Sequence, residues 1–334
     1  MAFFFIDHCV NSTIPDSAAF TATGILILLA LITIPGNLLV VLAVLLDPNK
    51  DLRSPFNYFI ANLAFADLVV GLVTEPVAII HHFQIGLGVL EIGSSVIHMS
   101  FFISCTASVL SLSVLTLDRY IAITSPFKYK TKLNPGHAAI LCAIVWTISI
   151  VFPFLYFHIG YIQYAFVFVN TAVLITFIVL LFAYIRIYKI FRKQVREWDV
   201  LHSGTSENRR KKQAIRYEQK LTKTFLIMLA IFVWCYFTAS GFIYLINLCE
   251  ACSCHVIHWS RDLQFLFILL SSGLNPFLYS WRLRSYRRAF ACLVCMGRKR
   301  ELARKASFEL RSFRRSTRGS SLKKANSTNC NANL

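Results

Sequence analysis

Seven long apolar runs leave this chain few architectures to choose from. They lie at about Thr21–Leu46, Phe56–Phe83, Ile92–Thr124, Ala138–Phe157, Tyr161–Phe191, Leu221–Leu248 and Val256–Trp281. Each holds the roughly 20 residues that a helix needs to cross a hydrocarbon layer of about 30 Å. Inside lipid only helices and closed barrels satisfy every backbone N–H and C=O, and runs this long and uniformly apolar do not fit barrel strands. The expected fold is therefore an all-α membrane protein, a seven-transmembrane helix bundle. Only 15% of the residues are charged while 56% are apolar, with 29 Phe among them, which rules out disorder and argues against a water-soluble monomer.

The formal charge is nevertheless +18, and where it falls decides what it means. A basic groove for nucleic acid does not account for the apolar runs, so nucleic acid is not an expected partner. Residues 281–334 carry a net +13, residues 186–224 a net +8 and residues 127–137 a net +3, while the first inter-helix segment sums to zero. These segments exceed the charge of the whole chain, so the rest is net acidic. By the positive-inside rule they face the cytoplasm, which puts the N-terminus outside and the C-terminus in the cytosol. Met1–Ile6 has no basic region ahead of its apolar patch, so the first span is expected to serve as its own insertion signal. Asn11, in Asn11-Ser12-Thr13, is a glycosylation candidate on the outer face.

Ionisable groups inside a membrane are costly and mark function by default. Asp67 stands in mid-span with no Lys or Arg at its depth. It is either a protonated carboxyl hydrogen-bonded to its neighbours or a cation site, with sodium the candidate ion, shared with Asn37, Ser108, Ser272 and Asn275. At the cytoplasmic end of the third span comes Asp118-Arg119-Tyr120. Arg119 at a membrane edge can snorkel to headgroups. With Asp118 beside it and Glu218 at the start of the sixth span, it also has two competing carboxylates on different helices, the requirement for a switch. Near the end of the seventh span is Asn275-Pro276-Phe277-Leu278-Tyr279, whose proline removes a backbone hydrogen bond and makes a hinge.

Taken together, in order and on the right spans, these motifs resemble the rhodopsin-like (class A) G protein-coupled receptors. The likeness covers about Thr21 to Cys295 and includes Gly36-Asn37, Trp146, Tyr184, Phe232 and Cys235. It implies an extracellular N-terminus (1–20), a receptor domain (21–281), an amphipathic eighth helix (282–295) and a basic cytoplasmic tail (296–334) that is disordered by composition. It implies that Asp118 and Glu218 hold Arg119 at rest, that the sixth helix swings outward on activation, and that Tyr184 and Tyr279 then turn inward to support Arg119. The partners it implies are an extracellular ligand, a heterotrimeric G protein and arrestin-like proteins. The chain itself does no chemistry and is not an enzyme. Cys292 and Cys295 resemble the family's palmitoylation sites, the alternative being unmodified thiols. The run Glu207-Asn208-Arg209-Arg210-Lys211-Lys212 suits anionic membrane lipids as well as the G protein.

The chain departs from the family in ways that narrow the branch. The usual outer disulfide is missing, with Ser94 at its place on the third helix and no cysteine between Cys142 and Cys235. The link between the fourth and fifth helices is short, about His158–Gln163. These features resemble the melanocortin, cannabinoid, lysophospholipid and adenosine branch. Thr176 stands where the fifth helix usually has proline, and the family's Cys-Trp-x-Pro becomes Cys235-Tyr236-Phe237-Thr238. Losing both Trp and Pro makes high constitutive activity or unusual gating a working hypothesis.

Cys9, Cys249, Cys252 and Cys254 face the oxidising side. The third extracellular loop resembles the small disulfide loop of related receptors, which points to Cys249–Cys252 or Cys249–Cys254, with the remaining cysteine tied to Cys9. Metal binding with His255 and His258 is the alternative. The ligand pocket is expected to draw on Glu75, His98, Phe101, Phe102, Cys105, Phe166, Asn170, Tyr236, Phe237, Ile243, Gln264 and Leu269. Leu269 stands where retinal-binding opsins need Lys, and Phe101 where amine receptors carry Asp. Peptide or lipid-like ligands are therefore favoured over amines or retinal. A seven-span transporter would show internal repeats or interrupted helices, and neither is found. No catalytic cluster lies within the spans, so a membrane enzyme is a weaker rival. A non-signalling or constitutively active receptor homologue remains the closer alternative.

Overall fold

The computed structural model describes residue 9 and residues 15–89, 94–125, 129, 135–200 and 206–295. Helix α1 (Asp16–Leu46) starts earlier than the apolar run, on an extended Pro15 whose carbonyl accepts from the N–H groups of Ala18 and Ala19. Asp16 in its first turn suits the positive end of the helix dipole. Helix α2 (Pro55–Gly86) is opened by Ser54, whose hydroxyl accepts from the Asn57 N–H, and by Pro55 in the first turn. In its middle, Val70–Thr74 winds as one π turn. Helix α3 spans Ser94–Thr124.

Helix α4 (Pro135–Val151) continues through a 3-10 turn, Phe152–Leu155, and a last helical turn, Tyr156–Ile159. Gly160 follows with φ 79°, a left-handed conformation that suits glycine, and α5 begins at the next residue. The predicted short α4–α5 connection is thus a single glycine. Helix α5 runs Tyr161–Phe168, takes a π turn at Val169–Val173, and continues as Leu174–Val200. Helix α6 (Ser206–Leu248) is helical well before Leu221, across the basic segment expected to be loop. Glu, Arg, Lys, Gln and Ala are strong helix formers and carry the helix beyond the apolar layer. Helix α7 (Cys254–Arg282) contains Pro276 and ends at an extended Leu283, after which α8 (Arg284–Cys295) begins.

Among the described residues six helices, α1 to α6, each hold a stretch long and apolar enough to cross a membrane. Helix α7 meets the same test together with α8. The side chains are distributed as lipid requires. Leu28, Leu31, Leu45, Phe182 and Ile178 are exposed, whereas Asn37, Asp67, Glu75, Ser104 and Ser111 are buried. Close backbone approach ties α1 to its neighbours: a Cβ on Gly36 would stand 2.9 Å from Pro276 of α7, and one on Gly71 would stand 2.8 Å from Ile34. Helix α3 runs through the centre against α2, α4 and α5, and α6 packs chiefly on α7.

At the end of the bundle where α7 begins, Cys9 is joined to Cys254, and Cys249 to Cys252 within the α6–α7 loop. At the opposite end Asp47 closes the α1–α2 turn, accepting from the Leu52 N–H at 3.0 Å and the Arg53 Nε at 3.1 Å. The bundle extends to Phe290, with Tyr286 of α8 donating to Asn57 Oδ1 of α2 at 3.1 Å. Residues 291–334 form a second unit, of which 291–295 are described; there Cys292 is half-buried and Cys295 exposed. Asn11 and the tail beyond residue 295 lie outside the described residues.

Candidate functional site

Between α3, α5, α6 and α7, in the half of the bundle where α7 begins, lies a narrow slot. Phe101 and Phe102 line it from α3, Phe168 and Val169 from α5, Tyr236 and Ile243 from α6, and Gln264 and Ile268 from α7. Its free volume is about 20 Å³, little more than the space one water needs. Rings dominate its walls: Phe101 packs on Phe265 with centroids 4.7 Å apart, and Phe102 meets Tyr164 edge-on at 4.5 Å. The π turn in α5 falls at the slot and brings Val169 and Val173 both to its wall. Tyr236 stacks on Phe232 at 4.1 Å, and both it and Cys105 are buried.

Of the residues expected to form the pocket, Phe101, Phe102, Tyr236, Ile243 and Gln264 line this slot, and Cys105 and Leu269 are buried in the cluster around it. Phe166 and Asn170 meet α6 nearer the outside, where Tyr244 donates to Asn170 Oδ1 at 2.6 Å and crosses the Phe166 ring at 5.8 Å. His98 Nδ1 is 3.1 Å from the Tyr156 hydroxyl, which pins the outer part of α3 to α4. Phe237 is a correction. It is 69% exposed and stacks on Phe177, because the residue after Tyr236 is turned by about 100° on a helix and faces lipid. Glu75 is fully buried on the α1 side of α2, where its Oε1 accepts from Thr33 at 3.2 Å.

Midway through the bundle Asn275 donates to Asp67 Oδ2 at 2.8 Å, and the Ser272 and Ser108 hydroxyls stand near this carboxyl. Asn37 donates to the Thr33 carbonyl at 3.0 Å and the Ser272 carbonyl at 3.1 Å, which joins α1 to α7. A carboxylate with two hydroxyls is a donor set of hard oxygens and fits a small monovalent cation. Nearby is a joint that the sequence reading passed over. Asn62 donates to Ser111 Oγ at 2.7 Å and accepts from Trp146 Nε1 at 3.0 Å, tying α2, α3 and α4 at one amide. The signal was available, since Asn62 is an amide inside an apolar run.

Toward the C-terminal end of α3, Arg119 donates to Asp118 Oδ2 through Nε at 2.9 Å and through Nη2 at 2.8 Å, and both side chains are buried. A further partner comes from the α3–α4 loop. The Tyr129 hydroxyl donates to Asp118 Oδ1 at 2.9 Å and accepts from Arg119 Nη2 at 3.2 Å. The guanidinium also lies 4.1 Å from the Phe56 ring centroid, a cation–π contact to α2. Glu218 belongs to α6, and its side chain lies outside the described residues. Tyr120 is half-buried beside the pair. Tyr184 stacks on Tyr188 of its own helix, and the buried Tyr279 donates to Met228 Sδ at 3.2 Å. Pro276 lies within α7 against Gly36. The arrangement is a charge held locally by α3 and its loop, with the two tyrosines engaged elsewhere.

Comparison with known proteins agrees with this geometry. The model of the family described as 7 transmembrane receptor (rhodopsin family) matches residues 36–165 and 161–279. The histamine H2 receptor of Cavia porcellus is 31% identical over 313 residues, 85% of this chain and 84% of its own length. The D(1)-like dopamine receptor of Takifugu rubripes is 27% identical over 332 residues, 84% of this chain and 71% of its own length. The 5-hydroxytryptamine receptor 4 of Cavia porcellus is 30% identical over 309 residues, 81% of this chain and 78% of its own length. These three are named for amines and differ from the branch that the cysteine pattern and loop lengths resemble.

Proposed function

The chain belongs to the rhodopsin family of seven-transmembrane receptors, and from that premise we propose how it works. It is a plasma-membrane receptor, N-terminus outside, that turns the binding of an extracellular ligand into activation of a heterotrimeric G protein. The observation that carries this reading is the buried Asp118–Arg119 pair, closed by Tyr129 at the cytoplasmic end of α3. An arginine held this way is released only if its partners move, so an agonist that favours a second packing of α6 exposes it to the G protein. Tyr184 and Tyr279 then turn toward Arg119, and Pro276 supplies the hinge. Glu218 is the α6 partner of Arg119 at rest. Arrestin-like proteins and anionic lipids meet the same basic cytoplasmic face. Asp67, Ser108, Ser272 and Asn275 hold a sodium ion in the resting form, Cys292 and Cys295 carry acyl chains, and Asn11 carries a glycan.

The ligand fills the slot between Phe101 and Tyr236 with an apolar or aromatic body, peptide or lipid-like in character. The relatives' names point to amines, yet a small amine gripped by an acid on α3 has no partner here, because Phe101 occupies that position. Leu269 gives retinal no lysine. The test is agonist-free signalling in transfected cells, with cAMP and calcium read against Arg119→Ala. A basal signal abolished by the substitution supports G-protein coupling. A signal that persists with Arg119→Ala at equal surface expression overturns it.

A further inference from the structure

Where α2 ends and α7 begins, two ionisable side chains on different helices face each other without bonding. His82 lies one turn inside the end of α2, and Asp262 two turns inside the start of α7. His82 Nε2 is 3.9 Å from Asp262 Oδ1, beyond the roughly 2.7–3.2 Å of a hydrogen bond. The remaining polar atoms of the pair, His82 Nδ1 and Asp262 Oδ2, have no hydrogen-bond partner. The two side chains keep 12% and 11% of their surface, enough for a proton to reach them and too little for water to solvate them. One proton closes this gap. It leaves either imidazolium and carboxylate or imidazole and carboxylic acid. Both forms hold a hydrogen between Nε2 and Oδ1, and both cancel the net negative charge of the unprotonated pair.

The surrounding groups come from four helices. On α2, His81 meets the His82 ring edge-on with centroids 5.6 Å apart, and Glu75 lies deeper and fully buried. On α3, His98 is held by the Tyr156 hydroxyl. On α7, His258 is buried one turn outward, and the charge of Arg261 acts on Asp262. On α1 the charged residue is Asp16, exposed in the first turn. The outer half of α6 carries no charge, and Glu250 in the loop beyond it is exposed. Asp7, His8 and Glu91 lie outside the described residues.

The pair is coupled to the slot through α7. Gln264, two residues beyond Asp262, lines the slot, and Phe265, the next residue, packs on Phe101 of α3 at 4.7 Å. Because both side chains are packed, closing the gap draws on the helices as well as on rotamers. The bond would tie α2 to α7 in the packing in which Asp118 holds Arg119. A ligand shifts an equilibrium toward the packing it binds better. We propose that His82 and Asp262 form a binding site for an extracellular proton that favours the resting packing, so that acid outside the cell lowers signalling. The inference rests on the receptor reading above and adds a second ligand to it.

The site is tested in full-length receptor in nanodiscs by NMR of histidine isotopically labelled at Cε1. The His82 resonance, identified by its absence from His82→Gln, is expected to shift as the pH falls from about 8 to about 5.5, where histidine changes charge. Asp262→Asn is expected to abolish that shift, because a buried imidazole without its carboxylate has nothing to offset the loss of water. A His82 resonance that does not move, or that moves equally in Asp262→Asn, overturns the proposal. The consequence is tested in transfected cells. The Arg119-dependent basal signal of wild type is expected to fall about twofold or more over the same pH range, and to lose its pH response in His82→Gln and Asp262→Asn. A wild-type signal that stays level or rises in acid overturns the proposal, as does a response that survives in either variant. Melting and surface expression of each variant separate a folding defect from a lost proton site. A pH-dependent His82 resonance without any Arg119-dependent signal sinks the receptor reading and leaves the proton site standing.

Discussion

The α1–α2–α7 sector and the α5–α6 sector are built from the same apolar alphabet but joined differently. In the first, glycines seat side chains of the neighbouring helix, Gly36 the Pro276 ring and Gly71 the Ile34 side chain, and buried amides cross between helices: Asn37 to the Ser272 carbonyl and Asn275 to Asp67. In the second, rings mediate the contact, with Phe166 on Tyr244 and Phe177 on Phe237, helped by the Tyr244–Asn170 hydrogen bond at the outer end. A side chain seated against a glycine at van der Waals limits leaves helices little room to slide, while rings repack at small cost. The difference assigns the parts of a two-state receptor. In the activation proposed above, the first sector serves as the frame, the second holds the helix that moves, and Arg119 on α3 stands between them.

The largest expected effect tests the frame. Gly36→Val places methyl groups where Pro276 Cγ is already 2.9 Å from a Cβ, and neither partner is the free end of a flexible side chain. Overpacking of this kind costs about 1–3 kcal/mol. The detergent-solubilised variant should melt several degrees below wild type with reduced surface expression. Unchanged melting would mean that α1 and α7 are not held at this distance.

A smaller effect is expected at the boundary between the sectors. Tyr129→Phe removes one hydroxyl that both donates to Asp118 and accepts from Arg119. It leaves the direct Asp118–Arg119 bonds in place. A net loss of about 0.5–1.5 kcal/mol from the resting state raises basal G-protein activation by roughly two- to tenfold. Basal activity at or below wild type would show that the loop tyrosine does not hold the switch.

The frame was more legible in the sequence than the moving part, for physical reasons. Seven apolar runs report seven helices because lipid forbids most alternatives, and Asp67 and Arg119 stand out because charge is rare there. A helix that is apolar all round carries no stripe to say which side faces lipid. Tyr236 and Phe237 therefore looked alike, although one is buried and the other 69% exposed. The π turns at Val70–Thr74 and Val169–Val173 have no propensity signature, and each resets the faces of everything beyond it. Tyr129 was missed because its role depends on where a loop returns. The ligand class was the hardest to read: Phe101 argued against an amine, while the relatives are named for amines.

The smallest effect carries the opposite sign. A Cβ at Gly241 of α6 meets nothing within 4 Å, in contrast to Gly36 and Gly71. With no packing to disturb, the change to alanine acts through backbone freedom alone, and a helix-interior Gly→Ala exchange stabilises by about 0.5–1 kcal/mol. Gly241→Ala should therefore melt slightly above wild type, measured in the same detergent as Gly36→Val. Lowered stability would mean that the outer part of α6 packs more tightly than its ring contacts imply. Raised stability with normal basal signalling is the outcome that keeps the two sectors distinct, because α6 then tolerates added bulk on a face that no neighbour holds.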